Sequence, residues 1–191
     1  MSLASPPTAE SDLALMSLVA RQDARAQRQL VERLTQRVRR ITRLLSGASV
    51  DPDDAAQLSL LEILRSADSF RVATSLERWA DRISARTTLR LVRREQQRRN
   101  LLARWLVPGN LPWGKKEEAG QSDRIGLDAV LARLSPPRRE ALVLRHALEF
   151  SVEEIAELTG APAGTVKDRL VAGRKQLRRL LERDAGTRRV S

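Results

Sequence analysis

The chain is 191 residues long, with 35 Lys and Arg against 24 Asp and Glu, one His and no Cys, for a net charge of +11. That length suits one domain or two small ones, each with a modest core. The absence of cysteine excludes disulfides, thiolate zinc sites and cysteine nucleophiles, and a lone His146 excludes a multi-histidine metal site.

Five aromatic residues (Phe70, Phe150, Trp79, Trp105, Trp113) leave little surface for base stacking. No run approaches the roughly 18 apolar residues of a membrane span. The N-terminus also lacks the basic-then-apolar pattern of a signal peptide, so a soluble, cytoplasmic protein without direct membrane insertion is expected. The charge is concentrated. Residues 82–104 carry eight Arg against Glu95, a net +7, and residues 167–189 carry nine basic residues against Asp168, Glu182 and Asp184, a net +6. Together these exceed the whole-chain value, so the remainder is net −2. Four of the 35 basic residues are Lys, and a G+C-rich coding sequence alone can produce such an arginine bias. Segregation into two stretches, rather than the total, points to a polyanion such as nucleic acid.

In chain order, residues 1–10 contain Pro6-Pro7 and read as a disordered leader. Helical spacing then dominates, with no convincing alternating strand. Ser11 is placed to cap a first helix carrying Leu13, Met16 and Ala20. A second starts near Asp23, repeats Leu30, Leu34, Val38, Ile41 and Leu45, and stops at Gly47. Asp51-Pro52-Asp53-Asp54 opens a third: a capping carboxylate, proline in the first turn, and negative charge at the positive end of the helix dipole. A fourth, long helix begins at Ser75, with Trp79, Ile83 and Thr87 on its core side and Arg82, Arg86, Arg90, Arg93 and Arg94 on an adjoining basic stripe. Prolines and glycines then interrupt the pattern, and residues 105–126 read as a flexible linker.

A second domain, 127–184, follows, with a basic tail at 185–191. Leu127, Val130, Leu131 and Leu134 start it, and Ser135-Pro136-Pro137 caps a helix with Ala141, Leu142 and Leu144. Ser151 and Glu154 have capping-box spacing before the short helix 152–159. Gly160 forces a turn, and with Ala156 and Val166 suggests that the flanking helices cross closely. Thr165 then opens a long basic helix, so the segment has the form of a helix-turn-helix. In that geometry the start of the second helix meets base edges, which makes Thr165, Lys167, Asp168 and Val171 the candidate readers. Arg169, Arg174, Lys175 and Arg178 are the candidate phosphate contacts. A helical hairpin with a solvated arginine face is the plainer alternative. The fold class is therefore all-α: two small helical domains joined by a flexible linker, the C-terminal one a helix-turn-helix.

Several segments resemble the extracytoplasmic-function sigma factors, specificity subunits of bacterial RNA polymerase. Leu134-Ser135-Pro136-Pro137-Arg138-Arg139 resembles the family's Leu-Pro-x-x-x-Arg entry. Glu154-Ile155-Ala156 and Gly164-Thr165-Val166-Lys167 match its commonest motif, continued by Arg169-Leu170. Asp53-Asp54-Ala55-Ala56-Gln57 resembles its Asp-Leu-x-Gln-Glu segment, and Trp79-x-x-Arg82-Ile83 its Trp-Leu-Tyr-Arg-Ile segment. Ala55, Leu58, Ala80-Asp81, Ala85-Arg86, Asp168 and Ala172 depart from the usual residues.

The resemblance implies an initiation factor rather than an enzyme, needing no cofactor or metal. Residues 11–104 would form a domain that binds core RNA polymerase through Asp53, Asp54, Gln57 and Leu61. The same domain would bind the promoter −10 element through the stripe Arg82, Arg86, Arg90, Arg93 and Arg94, with an unpaired base trapped near Phe70–Ser75. The helix-turn-helix would read the −35 element of promoter DNA. An anti-sigma protein is the further partner implied. Two rivals are a helix-turn-helix DNA-binding regulator, or a divergent sigma-like protein without promoter-melting activity, and a metal-dependent nuclease using Asp51, Asp53 and Asp54.

Overall fold

The computed structural model describes residues 9–106 and 127–188. Among these there are helices and no strand: α1 Ala9–Ala20, α2 Ala24–Ser46, α3 Pro52–Arg65, a short 3-10 turn Ala67–Ser69, α4 Leu76–Leu106, α5 Leu127–Ala132, α6 Pro136–His146, α7 Val152–Thr159 and α8 Ala163–Arg188. The chain divides into two compact units, one of residues up to Thr42 with Pro52–Thr88, the other of Arg43–Asp51 with Leu89 onward. The division passes through α2 and α4.

Local chemistry sets most helix ends. The Asp23 carboxylate accepts from the Ala26 amide at 2.8 Å and so caps α2, and Ser75 Oγ accepts from the Arg78 amide at 3.2 Å at the start of α4. Gly47 follows α2 with φ +59°, the left-handed conformation glycine adopts at low cost. At α6 the cap differs from expectation. Ser135 is extended and makes no side-chain capping bond; Pro136 and Pro137 occupy the first turn and supply no donor, and its carbonyl accepts from the Arg138 and Arg139 amides.

Three boundaries also differ. Ser11 lies inside α1, which starts two residues earlier at Ala9, so it is not the cap and Ala9 and Glu10 are not leader. α4 continues through Trp105 and Leu106, and α8 through residues 185–188 of the expected tail. Hydrogen-bonded helices propagate one residue at a time, so weak periodicity at their ends does not stop them. The rest of the leader (1–8), the linker from 107 to 126 and residues 189–191 lie outside the described residues.

In the first unit the four-residue repeat of α2 packs Leu30, Leu34 and Val38 against Met16 and Val19 of α1, Ile63 of α3, Phe70, and Leu76 of α4. Phe70 and Trp79 meet edge to face at 5.6 Å between ring centres. Two ion-pair systems brace the same helices. Arg37 Nε donates to Asp81 Oδ1 at 2.5 Å and its Nη2 to Oδ2 at 2.7 Å, while Arg33 bridges Asp12 of α1 and Glu77 of α4. Asp81, one of the departures from the family pattern, is thus a 2 % exposed carboxylate held in a bidentate pair.

In the second unit Leu142 and Leu144 of α6, Phe150, Ile155 of α7, and Val166 and Leu170 of α8 are buried together with Val130 and Leu131 of α5. The guanidinium of Arg139, itself buried, occupies the space a Cβ on Gly47 would need. A side chain at 47 would be strained by the backbone angle and would have to displace that guanidinium.

Candidate nucleic-acid interface

The α7–turn–α8 segment is built on a complete capping box. Ser151 Oγ accepts from the Glu154 amide at 3.1 Å, and Glu154 Oε2 accepts from the Ser151 amide at 2.8 Å. Gly160 ends α7 with φ +66°. Its role differs from the sequence expectation: nothing lies within 4 Å of the position a Cβ would take, so the backbone angle, not close helix crossing, requires glycine. The close approach occurs further along, where a Cβ on Gly173 would stand 3.1 Å from the Leu142 side chain of α6.

Burying Val166, Leu170 and Gly173 fixes the rotation of α8. The opposite side then carries Lys167, Asp168, Val171, Arg174, Lys175 and Arg178, all exposed and, counted from Lys167, lying one, four, seven, eight and eleven residues along one face. Arg174, Lys175 and Arg178 line an open depression of about 310 Å³. Thr165 and Arg169 are half-buried at the margin of this face. Across the helix, Arg138 Nη1 donates to Gln176 Oε1 at 2.7 Å and ties α8 to α6.

On α4 the expected basic stripe separates by exposure. Arg86, Arg90 and Arg94 are exposed, whereas Arg82 and Arg93 are half-buried. Arg93 Nη2 donates to the Thr159 carbonyl at 2.8 Å, at the end of α7. Further along, Glu95 accepts from Arg98 and Arg99 one turn away. The hydrogen bonds from these two arginines hold the half-buried Glu95 carboxyl down at about 2.

On α3, Ala55, Ala56, Ser59 and Ile63 are buried, which leaves Asp53, Asp54, Gln57 and Leu61 together on the exposed face. Leu58 joins them. Its spacing of four from Asp54 puts it on the same face, although a leucine there departs from the family pattern. Both leucines remain exposed, and Arg39 Nε lies 3.5 Å from Asp53 Oδ1.

Glu140 of α6 is 5 % exposed, and burial pushes its carboxyl above the ordinary range despite the opposing charges of Arg93, Arg139 and Arg169. Among the described residues no group of three or more His, Cys, Asp or Glu is arranged to hold a metal ion, so Asp51, Asp53 and Asp54 do not form one. Nor is any helix of the described residues long and apolar enough to cross a membrane.

Two family models match the chain: sigma-70 region 2 over residues 30–99 and sigma-70 region 4 over residues 124–177. Among curated proteins, the ECF RNA polymerase sigma factor SigM of Mycobacterium tuberculosis is 31% identical over 171 residues, covering 90% of this chain and 85% of that protein. SigE of Mycolicibacterium smegmatis, also an ECF RNA polymerase sigma factor, is 34% identical over 155 residues, covering 78% of this chain and 59% of its own longer length. Among solved structures, the sigma factor RpoE of Bartonella quintana, crystallised with the anti-sigma factor NepR, has a TM-score of 0.58 at 25% identity, covering 81% of this chain and 96% of that one. CnrH in complex with the cytosolic domain of CnrY shares the fold, with a TM-score of 0.55 at 24% identity over 91% of this chain and 98% of that one. Together with a helix-turn-helix whose basic face points outward, these matches establish that the chain belongs to the ECF sigma factors of RNA polymerase.

Proposed function

We propose that this sigma factor engages core RNA polymerase through Asp53, Asp54, Gln57 and Leu61 and reads the −35 element through α8. It opens the −10 element through α4. The observation that carries the reading is the outward face of α8, held in place by the buried Val166–Leu170 side and the Ser151–Glu154 capping box. A major groove admits one helix, its start facing bases and its flanks facing phosphates. Thr165, Lys167, Asp168 and Val171 stand where bases would be met, and Arg169, Arg174, Lys175 and Arg178 where phosphates would be. On α4, Arg86, Arg90 and Arg94 are presented for the −10 strand. Arg82 flanks them, and Arg93 would join only on leaving its carbonyl partner. The loop between Phe70 and Ser75 is the place for an unpaired base.

The working domains in this reading are 11–104 for polymerase and the −10 element and 127–184 for the −35 element, with the segment between as linker. The protein acts in the cytoplasm, where polymerase is, and initiates transcription without catalysis, metal or cofactor of its own. The RpoE and CnrH structures, solved with NepR and the CnrY cytosolic domain, support an anti-sigma protein as a further partner. The test is transcription with core polymerase and the full chain on genomic promoter fragments. Promoter-specific transcripts are expected. Their absence under every condition, or DNA binding without polymerase binding, overturns the reading in favour of a helix-turn-helix regulator.

A further inference from the structure

The α8 face mixes two kinds of residue. Arg174, Lys175 and Arg178 are what phosphates attract, but one to two turns earlier the same face carries a carboxylate, Asp168, and an apolar side chain, Val171, which is 60 % exposed. Neither gains anything from phosphate, and the carboxylate is repelled by it. Two ordinary explanations for Asp168 also fail on the helix itself. Helical ion pairs form three or four residues apart, and those positions hold Gly164, Thr165, Val171 and Ala172, none of them basic. The helix begins at Ala163, so Asp168 lies beyond the first turn, where a carboxylate would interact favourably with the helix dipole.

We propose that Asp168 is a specificity-determining residue that selects cytosine, and that Val171 selects thymine at the adjoining position. The inference rests on the reading of α8 as the promoter-recognition helix and goes beyond it by naming the bases. In the major groove cytosine offers the N4 amino group as a donor, and an acceptor-only carboxylate is its natural partner. Thymine offers its C5 methyl group, which an exposed valine contacts without polar cost. The geometry of the pair agrees. Three residues along α8 rise about 4.5 Å, close to the roughly 3.4 Å between successive base pairs, so the two side chains address neighbouring pairs. The cations at 174, 175 and 178 then supply the affinity that the carboxylate takes away. Selectivity is thereby separated from affinity along one helix.

The experiment is selection from a randomised −35 duplex library by core polymerase with the full-length chain, as wild type and as Asp168→Asn, Asp168→Ala and Val171→Ser. Wild type is expected to enrich a C next to a T, each preferred roughly tenfold or more. Asp168→Asn should shift the first position from C to A, because a carboxamide pairs with adenine N6 and N7. Asp168→Ala should leave that position without preference while binding scrambled duplex more tightly. Val171→Ser should lose only the T. An enriched site that is identical for wild type and Asp168→Asn overturns the assignment of Asp168 while leaving the recognition helix intact. Failure of wild type to enrich any sequence overturns the promoter-reading role itself, and the inference with it.

Discussion

Arg93 and Thr159, 66 residues apart in sequence, are joined by a 2.8 Å hydrogen bond from the guanidinium to the carbonyl that ends α7. The last carbonyls of a helix have no partner within it, and a cation there also meets the negative end of the dipole. Arg93→Ala should therefore destabilise α7 by about 1 kcal/mol, a value reduced from that of a buried charged bond because Arg93 is half exposed. Arg90→Ala, on the exposed side of α4, should change stability by less than about 0.5 kcal/mol. Hydrogen exchange of the amides at 155–159 reads the difference, and equal protection in the two variants would show that Arg93 does not anchor α7.

The Arg37–Asp81 pair is lopsided: Asp81 is buried, while the Arg37 side chain keeps 47% of its exposure. Removing either member breaks the same bonds but leaves a different remainder. Arg37→Met strands a buried carboxylate and should cost about 3 kcal/mol. Asp81→Ala returns an arginine to water and should cost about 1 kcal/mol. Urea unfolding of both variants checks the order, and a larger loss for Asp81→Ala contradicts it.

Two carboxyls give stability opposite pH dependences. Burial alone would raise Glu77, but the hydrogen bond and charge of Arg33, with the charge of Arg37, bring it below its ordinary 4.5. Its contribution is present above 4.5 and is lost as pH falls through the folded value. Glu140 is raised, so its folded form binds the proton more tightly. Stability from that group is greatest below 4.5 and declines as pH rises from there through the folded value. Glu140→Gln should thus raise the urea midpoint at pH 7 and remove that decline. A lowered midpoint at pH 7 would mean that Arg93, Arg139 and Arg169 outweigh the burial of the charge.

Arg174 lines the cationic depression on α8 with Lys175 and Arg178. If it neutralises one duplex phosphate, Arg174→Ala should lower the slope of log affinity against log salt by about 0.9 and weaken all sequences alike. Titrations at several salt concentrations on promoter and scrambled duplex measure this. An unchanged slope removes Arg174 from the phosphate contacts.

Much of this molecule is legible in its sequence, because helices are written in local spacing. The repeat Leu30–Leu34–Val38, the stop at Gly47, the Asp51-Pro52 start and the Ser151–Glu154 capping box each depend on residues within a few positions of one another, and each appears where the spacing placed it. The same locality located the helix-turn-helix and its basic second helix. Tertiary packing decided which side of each helix faces out. Arg93 and Arg94 are equivalent by composition, yet Arg94 is exposed while Arg93 is held by a carbonyl that no local rule connects to it. Asp81, a misfit within its own motif, is explained by Arg37 on another helix, 44 positions away. Gly173 is explained by Leu142, and Gly47 in part by Arg139. The physical reason is range: backbone hydrogen bonds and caps act over one turn, whereas the burial of a charge or the space for a Cβ is set by whatever the folded chain brings alongside.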